Sequence, residues 1–246
     1  MTTRANLTAY SLWQVSDYVT QRGILSFVVG LMVGAPVRFM IAGLQRSGAA
    51  PERIQSATNQ LAASAAATLG VLIVLLAVQR SVSGDRADGY YRFYFSKPVP
   101  VWTFYLQRYV AFGAGLLVMV ALLLLVGLLS GVPVHVGGAL GYFLILYLAF
   151  GGIGFLCSAV TRYDWSALAV IWFGALLLRT MYAQQANGWR HWLGAILPRV
   201  ELMDGVRGAL FDGVAPSMYD VAWLVGYGVV CLVLGLVIIQ RRPLAS

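Results

Sequence analysis

The chain has 246 residues, 60% of them hydrophobic and only 11% charged, and its formal net charge is +8. An average soluble domain is roughly 25% charged, so this composition excludes an ordinary water-soluble fold. The positive charge does not indicate a nucleic-acid partner, because the basic residues form no cluster on an exposed domain; a topology signal and contact with anionic membrane lipids account for it.

Residues 6–21 are polar, aromatic and weakly amphipathic, and lack the basic start, apolar core and cleavage site of a secretory signal. Leu7, Tyr10, Val15, Tyr18 and Val19 give the stretch one apolar face, which reads as an interfacial helix lying on the membrane. A disordered tail is the alternative. A bilayer core about 30 Å thick needs about 20 helical residues, and six apolar stretches provide them, at 24–44, 61–79, 109–129, 139–160, 165–182 and 221–239. Arg38 interrupts the first and Arg179 lies near the end of the fifth. The fold class is therefore an all-α integral membrane protein with six transmembrane helices in a single domain, 1–246.

Lys and Arg are retained in short cytoplasmic loops. With six spans, Arg4, Arg22, Arg80, Arg86, Arg92, Lys97, Arg108, Arg162, Arg241 and Arg242 share one side and form the larger part of the 17 basic residues. Both termini are expected to be cytoplasmic. Two connections are long, an inner one at 80–108 and an outer one at 183–220.

The outer connection is too apolar for a plain solvated loop. Trp189, Trp192, Leu193, Ile196 and Leu197 follow the spacing of one helical face, Pro198 breaks that helix, and a second helical stretch at 201–211 begins with Glu201. Asp212-Gly213 then turns the chain, and Ser217 and Asp220 have capping-box spacing before the last span. Two short helices joined at a proline read as a re-entrant or interfacial hairpin in the outer leaflet. A pair of surface helices with an aromatic belt is the alternative.

Catalytic chemistry has no foothold. His135 and His191 stand at no metal-ligand spacing, Cys157 and Cys231 read as small buried hydrophobes, and no carboxylate lies inside a span. The single lysine, Lys97, is not part of a phosphate-binding GxxxxGK[ST] loop. No catalytic or metal site and no cofactor are expected in this chain, and uphill transport would draw its energy from a partner.

The inner connection reads RSVSGDRADGYYRFYFSKPVPVWTFYLQR from Arg80 onward. It resembles the loop between the second and third spans of ABC-2 type exporter permeases, where an acidic-basic pair, a glycine, a short helix and a Ser-x-Pro-Val segment precede the third span. Asp85 and Arg86 match the pair, Gly89 the glycine, and Ser96, Pro98 and Val99 the closing motif. The family's six helices, interfacial N-terminal helix and hairpin before the last span extend the likeness over nearly the whole chain.

The resemblance implies the membrane subunit of an ATP-driven exporter in the inner (cytoplasmic) cell membrane. A second permease subunit, the same or different, and two ABC ATP-binding subunits holding ATP and Mg would complete the transporter. The 80–108 loop would be its coupling helix. Asp85, Arg86, Gly89, Tyr90, Tyr91, Arg92, Ser96, Lys97 and Pro98 are the residues expected to seat on the ATPase. For the aromatics an inner membrane belt, with Arg92 and Lys97 reaching lipid phosphates, is an equal alternative. In that family the first, second and fifth spans line the path between the halves, so Arg38 and Arg179 would face it and favour an anionic group; snorkelling to the outer head groups is the competing reading. A channel or scaffold subunit without an ATPase, or a lipid-active membrane enzyme, are the readings from other classes.

Overall fold

The computed structural model describes residues 12–48, 50–78, 81–87, 100–129, 135–161, 164–182 and 198–241. All regular structure among them is helical. Residues 12–18 form α1, which passes through a π turn at Val19–Gly23 into α2 (Ile24–Arg46) without a break in helical backbone. Then come α3 (Pro51–Val78), the short α4 (Ser83–Ala87), α5 (Val101–Leu129) and α6 (Val136–Leu146). A second π turn, Tyr147–Gly151, joins α6 to α7 (Gly152–Val160), followed by α8 (Asp164–Tyr182), α9 (Leu202–Phe211) and α10 (Met218–Arg241).

Four helical stretches among the described residues are long and apolar enough to cross a membrane: those of α3, α5, α6 with α7, and α10. Apart from the polar first turns of α3, their apolar residues spread over all faces, the pattern of a membrane span. α2, with 23 residues, and α8, with 19, are helical over the stretches expected at 24–44 and 165–182 and are not among those four. α2 carries Pro36 inside it, which removes one rung of the hydrogen-bond ladder. The interfacial placement expected for 6–21 falls partly on residues outside the described set; from residue 12 onward the chain is helical and continuous with α2.

The chain forms two compact units. The first is built on Met1–Ala77, Gln107–Tyr147 and Arg207–Pro216. In it α2 and α5 run side by side in one direction, because Gly23 faces Met119 and Gly30 faces Leu123 with no room for a Cβ. Tyr18 is buried against Phe112, ring centroids 5.3 Å apart, and fills the space that a side chain at Gly115 would need. The turn after α2 folds α3 back, with Gly48 at a φ of 70° that only glycine adopts freely. α3 meets α6 where Gly70 lies under Leu146, and α6 meets the end of α9 where Gly138 lies against the Leu210 carbonyl. The π turn is tied to α5 reciprocally: the Tyr147 hydroxyl donates to the Tyr109 carbonyl at 2.7 Å, and the Tyr109 hydroxyl donates to the Tyr147 carbonyl at 3.3 Å.

The second unit is built on Val78–Leu106, Leu148–Val206 and Ser217–Ser246. Its core is the α7–α10 contact. Gly152 and Gly228 bring the two backbones together so closely that a Cβ on either would overlap a main-chain carbonyl, and Gly235 lies under Phe155. Such small-residue contacts replace the hydrophobic drive that is missing between helices in lipid. On the other side of α7, Gly154 meets Leu168 and Phe150 meets Trp172 of α8 at 4.3 Å.

Candidate functional site

The inner connection begins at a built structure. Ser158, fully buried on α7, accepts from the backbone N–H groups of Val82 and Ser83 at 3.0 and 3.1 Å. Those are among the first donors of α4, which no carbonyl within the helix can satisfy. One turn later the Asp85 carboxylate, only 5% exposed, accepts a long hydrogen bond from the Tyr105 hydroxyl at 3.4 Å. Tyr105 is itself buried at the start of α5 and packs edge-on against Phe155 of α7, 6.4 Å between centroids. The root of the loop is thus held at two points, to α7 through Ser158 and to α5 through Tyr105.

Asp85 therefore faces inward, whereas a residue seated directly on a partner would be exposed. Arg86 lies in α4. Gly89, Tyr90, Tyr91, Arg92, Ser96, Lys97 and Pro98 fall outside the described residues. Sequence reasoning missed Ser158 and Tyr105. A serine in an apolar helix reads as a tolerated small residue, and a tyrosine near a span end reads as part of the aromatic belt.

In the first unit, α2, α3, α5 and α6, with Phe211 of α9, line a half-open cavity of about 380 Å³, and Arg38 on its wall is exposed. Its walls are carbon: Ala62, Ala66, Leu69 and Ile73 of α3 face Leu123 and Leu124 of α5, and Arg38 of α2 supplies a charge. Among the described residues no hydrogen bond or ion pair holds the Arg38 guanidinium. Arg179 lies in α8, and its side chain is outside the described set.

Of the outer connection, Trp189 and Trp192 lie outside the described residues. Pro198 is buried and Glu201 exposed just ahead of α9. Arg199 sits over the Trp223 ring of α10 at 5.2 Å, and Trp223 stacks on Tyr227 at 5.3 Å. α9 ends in a Schellman turn: Gly213 has φ 73°, and the Val214 and Gly213 N–H groups donate to the Ala209 and Leu210 carbonyls.

Apolar helices of membrane-crossing length and a connection anchored at its root define a multi-pass membrane subunit, with Arg38 and Arg179 carried on α2 and α8. The family model described as ABC-2 family transporter protein matches residues 23–237. The chain belongs to that family. No curated protein and no solved structure matches it. Membership makes it the membrane permease of an ABC transporter, a transport subunit that is not itself catalytic, with ABC ATP-binding subunits as its general partners.

Proposed function

We propose that this permease is one half of the membrane path of an ATP-driven exporter, and that the 80–108 connection couples it to the ATPase. The observation that carries this reading is the double anchorage of the loop's root. A segment pushed by an ATPase moves the spans only if its base is rigidly joined to them, and the Ser158 and Asp85–Tyr105 contacts join it to α7 and α5. Aromatic and arginine side chains, abundant at 90–95, are the residues that anchor protein interfaces.

On this reading two permease chains, alike or different, stand over two ATP-binding subunits in the cell membrane with both termini in the cytoplasm. The chain has six spans, an interfacial N-terminal helix and an outer hairpin. Arg86 and the residues from Gly89 to Pro98 contact the ATPase, while Asp85 acts from behind by fixing the helix that carries Arg86. Arg179 faces the path and favours an anionic substrate group, while Arg38 opens on a cavity of its own chain.

The test is copurification of an ATPase with a phosphate-binding loop, followed by ATPase measurement in the reconstituted complex. Charge reversal at Arg86 is expected to abolish the permease's effect on hydrolysis while the complex stays assembled. A purified chain with no ATPase partner would instead support a channel or scaffold, and an Arg86 reversal without effect would remove the coupling role.

A further inference from the structure

The cavity of the first unit is polar at one end and apolar at the other. Gly30 meets Leu123, and Arg38 lies eight positions further along α2, about 12 Å at 1.5 Å per residue. The hairpin at Ser47 and Gly48 turns α3 back, and Arg38 lines the same cavity as Ala62, in about the fourth turn of α3. From Ala62 the α3 wall runs through Ala66 and Leu69 to Ile73, all carbon, and Ile73 is 2% exposed. Gly127, near the end of α5, lines the same cavity. A cation on the wall and a carbon channel behind it are complementary to an amphiphile with an anionic head.

Two magnitudes select the occupant. Small-molecule sites run about 300–1,000 Å³ and are mostly apolar with a few placed polar groups, and about 380 Å³ is at the small end. That is room for one hydrocarbon chain and not for a whole lipid. Among the described residues nothing pairs the Arg38 guanidinium, and a phosphate offers its planar fork two charge-assisted hydrogen bonds. We infer that this cavity binds one acyl chain of an anionic phospholipid, with the lipid phosphate held by Arg38. The site lies inside one permease chain, and its occupancy does not depend on ATP, an ATPase partner or a transported substrate.

Native mass spectrometry of the full-length permease tests it, using delipidated protein reloaded from mixed micelles of dioleoyl phosphatidylglycerol and dioleoyl phosphatidylcholine. One phosphatidylglycerol per chain is expected, preferred over phosphatidylcholine by about tenfold, the scale of a hydrogen bond to a charged group. Arg38→Gln should bring the preference to within about twofold of parity, and Arg38→Lys, which keeps the charge and loses the fork, should fall between the two. Ala66→Phe fills the channel and should lose the bound lipid. If Arg38→Gln retains the wild-type preference, the site is not the one inferred. If Ala66→Phe changes the monomer–dimer ratio and leaves the lipid count unchanged, the cavity is covered by a second copy of the chain, and the inference fails.

Discussion

Replacing Ser158 with alanine removes one oxygen and leaves two backbone N–H groups, those of Val82 and Ser83, without the acceptor that now serves both. Val82 and Ser158 have no exposed surface and Ser83 is 6% exposed, so water cannot step in without opening the structure. An unsatisfied buried donor costs about 1–3 kcal/mol. Partial relaxation of a helix as short as α4 puts the pair near the low end, about 2 kcal/mol, which is about a 30-fold change in a local opening equilibrium. Hydrogen exchange of the permease in lipid nanodiscs reads that equilibrium directly at the Val82 and Ser83 amides. Exchange there should accelerate by about that factor in Ser158→Ala. Thr161→Ala, which removes a hydroxyl bonded to the Cys157 carbonyl one turn away, should leave both amides protected. Amides at 82 and 83 exchanging within about twofold of wild type in Ser158→Ala would refute the anchoring argument. In the assembled transporter the same variant should lower the permease's effect on ATP hydrolysis while the ATPase remains bound.

Gly152→Ala and Gly228→Ala each place a Cβ into a main-chain carbonyl and should cost about 1–3 kcal/mol as overpacking; Gly226→Ala, where the space is open, should be near neutral, and thermal unfolding in detergent distinguishes them. Tyr147→Phe deletes the 2.7 Å bond to the Tyr109 carbonyl and should lower stability by about 1 kcal/mol, more than Tyr109→Phe, whose bond is 3.3 Å. Trp223→Leu removes the ring beneath Arg199 and should cost about 0.5–2 kcal/mol, an effect that largely disappears in an Arg199→Gln background.

The helices were legible because lipid leaves so few choices: uncharged stretches of about 20 residues can hardly be anything else. The turn at Asp212-Gly213 was legible too, since a left-handed residue after an apolar helix demands glycine. The π turn at Tyr147–Gly151 was not, because in a helix apolar all round a one-residue change of pitch leaves no mark on the pattern. Nor did the sequence say which glycines meet which, since Gly152 and Gly226 differ only in having a backbone opposite them or open space. Asp85 is the subtler case. Its place in a charged loop says nothing of a partner within the chain, and only the fold puts Tyr105, twenty positions away, beside it. Ser158 is the same case in reverse, a residue whose role lies wholly in what the chain brings to it.

The π turn between α6 and α7 acts as a phase shifter. Each residue added to a helix rotates everything beyond it by about 100°, and the wide turn absorbs one residue without breaking the rod. On the near side of the turn, Tyr142 and Leu146 point at Phe211 and Gly70; on the far side, Gly152 and Gly154 point at Gly228 and Leu168. Deleting a single residue from 147–151 would straighten the pitch and keep the span apolar. The same indexing holds within the second unit, where Gly152 must meet the α10 backbone and Ser158 the amides of Val82 and Ser83, so a residue inserted between them would keep the helix apolar and lose one contact or the other.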